Sequence, residues 1–88
     1  MTLRWSAEVG PQLEAIHAYI AENSPIAADA SIKNVLRAAE RLVTGPHLGK
    51  PGRRKGTREL IHPPFVIVYR QIEDVINIES VFHGNQRF

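Results

Sequence analysis

Hydrophobic positions change their period along this chain, and the change marks out its elements. Val9, Leu13, Ile16 and Ile20 recur at steps of four, three and four, the spacing of one face of an α-helix. Glu8, Gln12, Glu14, His17 and Glu22 fall off that stripe. Gly10-Pro11 sits awkwardly near its start, because proline is tolerated in a first helical turn but costs about 3 kcal/mol deeper in. The helix is therefore expected to begin near Pro11 or to carry an irregular first turn. Ahead of it, Leu3-Arg4-Trp5 predicts a brief strand, with Ser6 as the N-cap.

Asn23-Ser24-Pro25 ends this helix and starts another, with Ser24 as N-cap and Pro25 at the first helical position. Ala28, Ile32, Val35, Ala39 and Leu42 form the second apolar seam, widened by Leu36 and Val43. Asp29 and Lys33 lie one turn apart on the outer face, a pair worth about 0.3 kcal/mol. The short connection implies an antiparallel helical hairpin, and alanines at 27, 28, 30, 38 and 39 allow close approach. Gly45-Pro46 is a stop. The stretch 45–56 holds four glycines and two prolines, so no regular element is expected there.

Beyond it the period becomes two. Thr57 to Ile61 predicts a short strand, and His62-Pro63-Pro64 a turn that lacks ladder donors at its prolines. In the next strand Phe65, Ile67 and Tyr69 share one face, with Val66, Val68 and Arg70 on the other. Apolar residues on both faces imply a central strand, or a second face covered by a partner. After a turn at Glu73-Asp74, Val75 to Phe82 predicts the clearest strand, Ile76, Ile78, Ser80 and Phe82 alternating with Val75, Asn77, Glu79 and Val81. The expected fold class is α+β, in the order β-α-α-β-β-β, with the helical hairpin packed on a mostly antiparallel four-stranded sheet.

At 88 residues the chain is expected to be a single domain spanning 1–88. It buries only about 60 to 65% of its unfolded surface, too little for a deep metabolic-enzyme cleft. Function is expected on a surface or in a site completed by a partner. The absence of cysteine excludes disulfides and thiol chemistry. The first residues contain no apolar signal core, and no apolar run approaches membrane-spanning length, so the expected compartment is the cytoplasm, without membrane contact. Net charge is only +2, yet Lys50, Arg53, Arg54, Lys55 and Arg58 fall in one stretch with no acid. Such a basic loop meets phosphate or an acidic surface, or is simply solvated.

His17, His47 and His62 show no metal-ligand spacing, so no metal or cofactor is expected. Arg58 and Glu59 are adjacent on a strand and face opposite sides, so they cannot form an acid/base pair. His83 at a strand end is either a hydrogen-bonded structural group or, beside a phosphate, a general acid. Arg70 has Glu79 or Asp74 as cross-strand partners. Tyr69 and Trp5 read as packing residues, and the interleaved basic and aromatic pattern of an RNA-binding sheet is absent.

The element order, the string Arg58-Glu59-Leu60, the strand Phe65-Val66-Ile67-Val68-Tyr69-Arg70 and the terminal Val81-Phe82-His83-Gly84 together resemble the RelE/ParE toxin superfamily, and most of all its ParE-like branch. The resemblance implies a toxin of a type II toxin–antitoxin pair, held inactive by a ParD-like antitoxin. One branch of the superfamily cuts messenger RNA in the ribosome; the ParE-like branch poisons DNA gyrase without a known catalytic centre. RNA cleavage needs a base, an acid and cations for the phosphorane. Where the ribonuclease branch carries arginines, this chain has Ile61 and Val66, and Gly84 falls near a third such position.

The resemblance therefore implies a gyrase poison acting by contact, with no catalytic residues and DNA touched only through antitoxin or gyrase. His83, Arg87 and Phe88 are its target-binding candidates. Ile16, Ile20, Ile32, Val66 and Val68 are the candidates for antitoxin binding. The loop cations Lys50, Arg53, Arg54 and Lys55 face acidic antitoxin residues or gyrase-bound DNA. The alternative is a ribosome-dependent endoribonuclease using Arg58, Arg70 and His83; a third reading is an inactive toxin-fold binding module.

Overall fold

A computed structural model describes residues 1–84. Strand β1 (Thr2–Trp5) is followed by helices α1 (Val9–Ala21) and α2 (Pro25–Glu40), a 3-10 turn (Arg41–Val43), and strands β2 (Lys50–Pro51), β3 (Arg58–His62), β4 (Phe65–Ile72) and β5 (Val75–His83). Among the described residues the strands form one sheet of five, ordered β1-β5-β4-β3-β2. The α+β class holds, with one strand more than expected. The extra strand is β2, where Lys50 pairs with Glu59 and Pro51 with Arg58. Pro51 can sit there because an edge strand does not need every N–H.

The helix starts follow from backbone donors. Ser24 accepts the Ala27 N–H at 3.1 Å, with Pro25 at the first helical position, as the sequence predicts. Ser6 is not a cap. Helix α1 begins at Val9 without a side-chain cap, which puts Pro11 third, where an amide has no intrahelical partner and proline loses nothing.

Ser6 and Gln12 serve β5 instead. Strand β1 runs parallel to β5 only from Val75 to Ile78, leaving the rest of that edge without a strand partner among the described residues. The Ser6 hydroxyl donates to the Glu79 carbonyl at 2.8 Å, and the Val81 N–H donates to Gln12 Oε1 at 2.8 Å.

Glu79 is also a bulge. Val68 pairs with Ser80 and Tyr69 with Ile78, so Glu79 has no opposite number on β4. An extra residue reverses the alternation beyond it. Ile76 and Ile78 face the core as expected, but the next core residue is Val81, and neither Ser80 nor Phe82 joins it.

One face of the sheet packs against the helices through Leu60, Phe65, Ile67, Tyr69, Ile76, Ile78 and Val81, which meet Val9, Ile16, Val35, Ala38, Ala39 and Leu42. Leu13, Ile20, Leu3 and Trp5 border this core, while Leu36 is exposed. Strand β4 is central, the first of the two readings that its two apolar faces allowed. Its second face, carrying Val66, Val68 and Arg70, is overlaid by the chain's own loop 52–57, which touches Glu59, Arg70 and Phe82.

Candidate functional site

The basic loop is shaped by the strand that follows it. Glu59 shares a row with Val68, on the face away from the helices, and is only 1% exposed. Its Oε2 accepts the Arg53 backbone N–H at 3.0 Å and lies 3.4 Å from the Arg53 guanidinium Nε. That guanidinium lies over the Phe82 ring, 5.8 Å from its centroid. Nothing in a lone Glu within Arg58-Glu59-Leu60 signals this role; the signal is an acid opposite a valine on a central strand, which must find a cation when buried.

Arg58 points to the other face. Its Nη1 donates to the Gly49 carbonyl at 2.7 Å, beside Tyr69, whose hydroxyl donates to the Pro46 carbonyl at 2.7 Å and accepts the Gly49 N–H at 2.9 Å. Burial raises the Tyr69 pKa above its ordinary 10.0, partly opposed by the Gly49 hydrogen bond and the Arg58 charge. Arg58 and Tyr69 thus tie down the segment leading into β2.

Arg70 donates to Glu79 at 2.8 Å and to the Lys55 carbonyl at 3.3 Å, one of the two cross-strand partners expected. His83 packs edge-on to Phe65 and Tyr19, at centroid distances of 5.8 and 6.2 Å.

Arg58, Arg70 and His83 are therefore not brought together. Arg58 pairs with Tyr69, and Arg70, one residue on, takes the opposite face. His83 pairs with Phe65, four residues from Tyr69 along β4, or roughly 13 Å. Ile61 and Val66 are direct cross-strand partners and add no charge.

The candidates for antitoxin binding separate by burial. Ile16 (3% exposed) and Val68 (0%) are interior and offer a partner no surface in this conformation, and Val66 (7%) offers almost none. Ile16 is spent on the helix–sheet core, while Val68 lies on the face that loop 52–57 overlays. Ile20 and Ile32 are half-buried. Ile32, Leu13, Glu14 and His17 line a shallow hollow of about 280 Å³ between the helices. His17 Nε2 lies 2.7 Å from Asp29 Oδ1 across the hairpin, so Asp29 pairs with His17 rather than Lys33. The two are equidistant from Asn23 at the turn, which is the sequence signal for that contact. Exposed Tyr19, Ile26 and Leu36 add apolar surface on the same helices.

Lys50, Arg53, Arg54 and Lys55 are all exposed. Arg87 and Phe88 lie outside the described residues. Among the described residues no group of three acids and histidines is placed to hold a metal, and no helix is long and apolar enough to cross a membrane.

Comparison with known proteins places this geometry in context. The model of a family described as "ParE toxin of type II toxin-antitoxin system, parDE" matches residues 3–88. The chain is 36% identical over 88 residues to "Putative toxin Y4kP" of Sinorhizobium fredii, covering 98% of this chain and 91% of that protein. Among solved structures it resembles a chain of the chromosomal ParDE system from P. aeruginosa, with TM-score 0.82, 24% identity, and 94% and 95% of the two chains covered. It also resembles a chain of the RelBE2 toxin–antitoxin complex from Mycobacterium tuberculosis, with TM-score 0.64, 23% identity, and 93% and 95% covered. At these identities the structural likenesses establish the fold.

Proposed function

Because the chain belongs to the ParE toxin family of type II toxin–antitoxin systems, we propose that it poisons DNA gyrase by surface contact and is neutralised by a ParD-like antitoxin. The observation that carries this reading is the dispersal of Arg58, Arg70 and His83. Cleaving RNA requires acid, base and cations around one phosphate. Here Arg58 and Arg70 occupy opposite sheet faces, each committed to a backbone carbonyl, and the intervening Ile61–Val66 pair is apolar.

The antitoxin's apolar side chains dock along the helical hairpin, at the hollow beside Ile32 and near Ile20. The target contact is made by His83, whose ring lies 6.2 Å from that of Tyr19 on α1, together with Arg87 and Phe88. Arginine and aromatic residues dominate the energetics of protein interfaces, and the sequence after His83 supplies both.

The rival is a ribosome-dependent endoribonuclease, favoured by the fold shared with a RelBE2 chain. The test is to incubate the purified chain with gyrase and supercoiled plasmid, and separately with translating ribosomes. Gyrase-dependent linear DNA is the expected product, and removal of residues 85–88 abolishes it while antitoxin binding survives. Messenger RNA cut in the decoding site, with intact plasmid, overturns the proposal in favour of the ribonuclease. Inactivity in both assays and in cells lacking the antitoxin leaves the third reading, a binding module.

A further inference from the structure

The loop 52–57 is held more firmly than a merely solvated connection requires. Glu59 fixes Arg53 from below through its backbone N–H and guanidinium. From the side, Arg70, itself paired with Glu79, donates to the Lys55 carbonyl. Within the loop the Arg54 carbonyl accepts both the Thr57 N–H and the Thr57 hydroxyl, and the Gly52 N–H donates to the Thr57 carbonyl at 2.8 Å. Gly56, at φ +82°, supplies a reversal that other residues rarely adopt.

The clamp has a cost. Burying a carboxylate is expensive even when it is paired, and Glu59 Oε1 is a buried oxygen without a hydrogen-bond partner. What the arrangement fixes is the position of three consecutive cations, Arg53, Arg54 and Lys55, on an exposed turn. Between Gly52 and Arg58 there is no acid and no large apolar side chain. Protein interfaces draw most of their affinity from buried clusters in which aromatic residues join arginine, and this loop has arginines but no aromatic or large apolar side chain. Recognition that rests on charge alone is the mode of a phosphodiester backbone.

We propose that loop 52–57 contacts the phosphate backbone of duplex DNA, and that Glu59 is the positioning residue that presets its cations. The proposal takes its partner from the gyrase reading above, in which the target itself holds DNA, and makes that contact direct, where the sequence led to the expectation that DNA is touched only through antitoxin or gyrase.

The experiment is anisotropy of a labelled duplex titrated with the purified chain across a salt series. Binding is expected to weaken steeply with salt. The double variant Arg54→Glu/Lys55→Glu, which leaves the core untouched, is expected to weaken it at least tenfold, with a salt slope shallower by about two. Glu59→Gln keeps every loop cation, yet is expected to weaken DNA binding several-fold and to speed trypsin cleavage after Arg53, Arg54 and Lys55. Absence of salt-dependent binding overturns the proposal, as does a double variant that binds like the parent. Poly-glutamate competing as well as DNA at equal charge also overturns it, making the loop an acidic-protein contact. The same chains assayed with gyrase keep the two readings apart. Poisoning by a chain that does not bind DNA removes the loop contact alone, whereas DNA binding without poisoning removes the gyrase reading.

Discussion

Ile61 and Val66 face each other across β3 and β4, with Phe82 opposite Val66 on β5. Two positions where cations would serve RNA cleavage are thus joined in an apolar contact. Their burial differs, at 45% and 7% exposed, and so should their tolerance of charge. Ile61→Arg is expected to shift stability by no more than about 0.5 kcal/mol, as for ordinary surface positions. Val66→Arg forces a charge under cover and should cost about 3 kcal/mol or more. Urea unfolding of the two variants measures the difference. Neither variant, nor the pair together, should gain ribonuclease activity, because Arg58 and His83 remain turned elsewhere.

Tyr69 makes stability depend on alkaline pH. Its phenol is fully buried and its pKa is raised above 10.0, with desolvation the main cause. Above pH 10 the unfolded chain loses this proton while the folded chain keeps it, so the unfolded state binds fewer protons and stability falls. The contribution is whole below pH 10 and is lost as pH rises through the folded-state pKa. Ionisation also removes the donor to the Pro46 carbonyl. Tyr69→Phe should cost about 1–3 kcal/mol at neutral pH, by leaving the Pro46 carbonyl and Gly49 N–H unpaired. It should also flatten the alkaline limb of a stability–pH profile. A variant with an unchanged alkaline limb would show that other groups control it.

How much of this was legible in the sequence depended on whether the determinant was periodic. The stripe Val9, Leu13, Ile16, Ile20 and the Ser24-Pro25 start were readable because helix period and capping are local. The two apolar faces of Phe65 to Val68 correctly implied a central strand. Strand β2 was hidden, because Lys50-Pro51 has no pattern of its own and pairs only through the edge that β3 presents. The change of phase after Ile78 was hidden too, since a bulge at Glu79 depends on how β4 and β5 come into register. Glu59 escaped notice as a clamp because its partner, Arg53, lies across a loop with no regular repeat. The dispersal of Arg58 and Arg70 required the register of β3 on β4, which sets Arg58 against Tyr69, and the place of His83 required that of β4 on β5.

Gln12 serves a stretch of β5 that has no strand partner on that edge among the described residues. It lies off the apolar stripe, yet its side-chain oxygen receives the Val81 N–H at 2.8 Å. Gln12→Ala should cost about 1–2 kcal/mol by leaving that buried-edge donor unpaired. Hydrogen exchange at Val81 should accelerate more than exchange at Ile76, whose neighbouring stretch is paired with β1. Equal acceleration at both sites would point to global destabilisation and remove Gln12 as a local partner.

Glu73 sits in the tight turn between β4 and β5 at φ 52°, in the left-handed region. A side chain other than glycine or asparagine there costs about 1 kcal/mol. Glu73→Asn should therefore raise stability by up to about 1 kcal/mol and increase the thermal midpoint by a few degrees. The Gln71 side chain bonds the backbone carbonyl of Glu73, so this contact is indifferent to the substitution. A lower midpoint would mean that the Glu73 side chain stabilises the turn in a way its backbone angle does not reveal.

His83 provides the sharpest test between contact and chemistry. It sits edge-on between Phe65 and Tyr19, a packing arrangement whose loss costs about 0.5–1.5 kcal/mol per aromatic pair. Glutamine keeps hydrogen-bonding capacity and much of the volume but cannot cycle a proton near neutral pH. His83→Gln should thus lower stability modestly and reduce gyrase poisoning by less than about tenfold, whereas a general acid or base contributes about 10²–10⁴-fold. Dose–response curves for linear DNA formation at several pH values distinguish the cases. A thousandfold loss with a matching change in pH profile would make His83 an acid/base group rather than a contact residue.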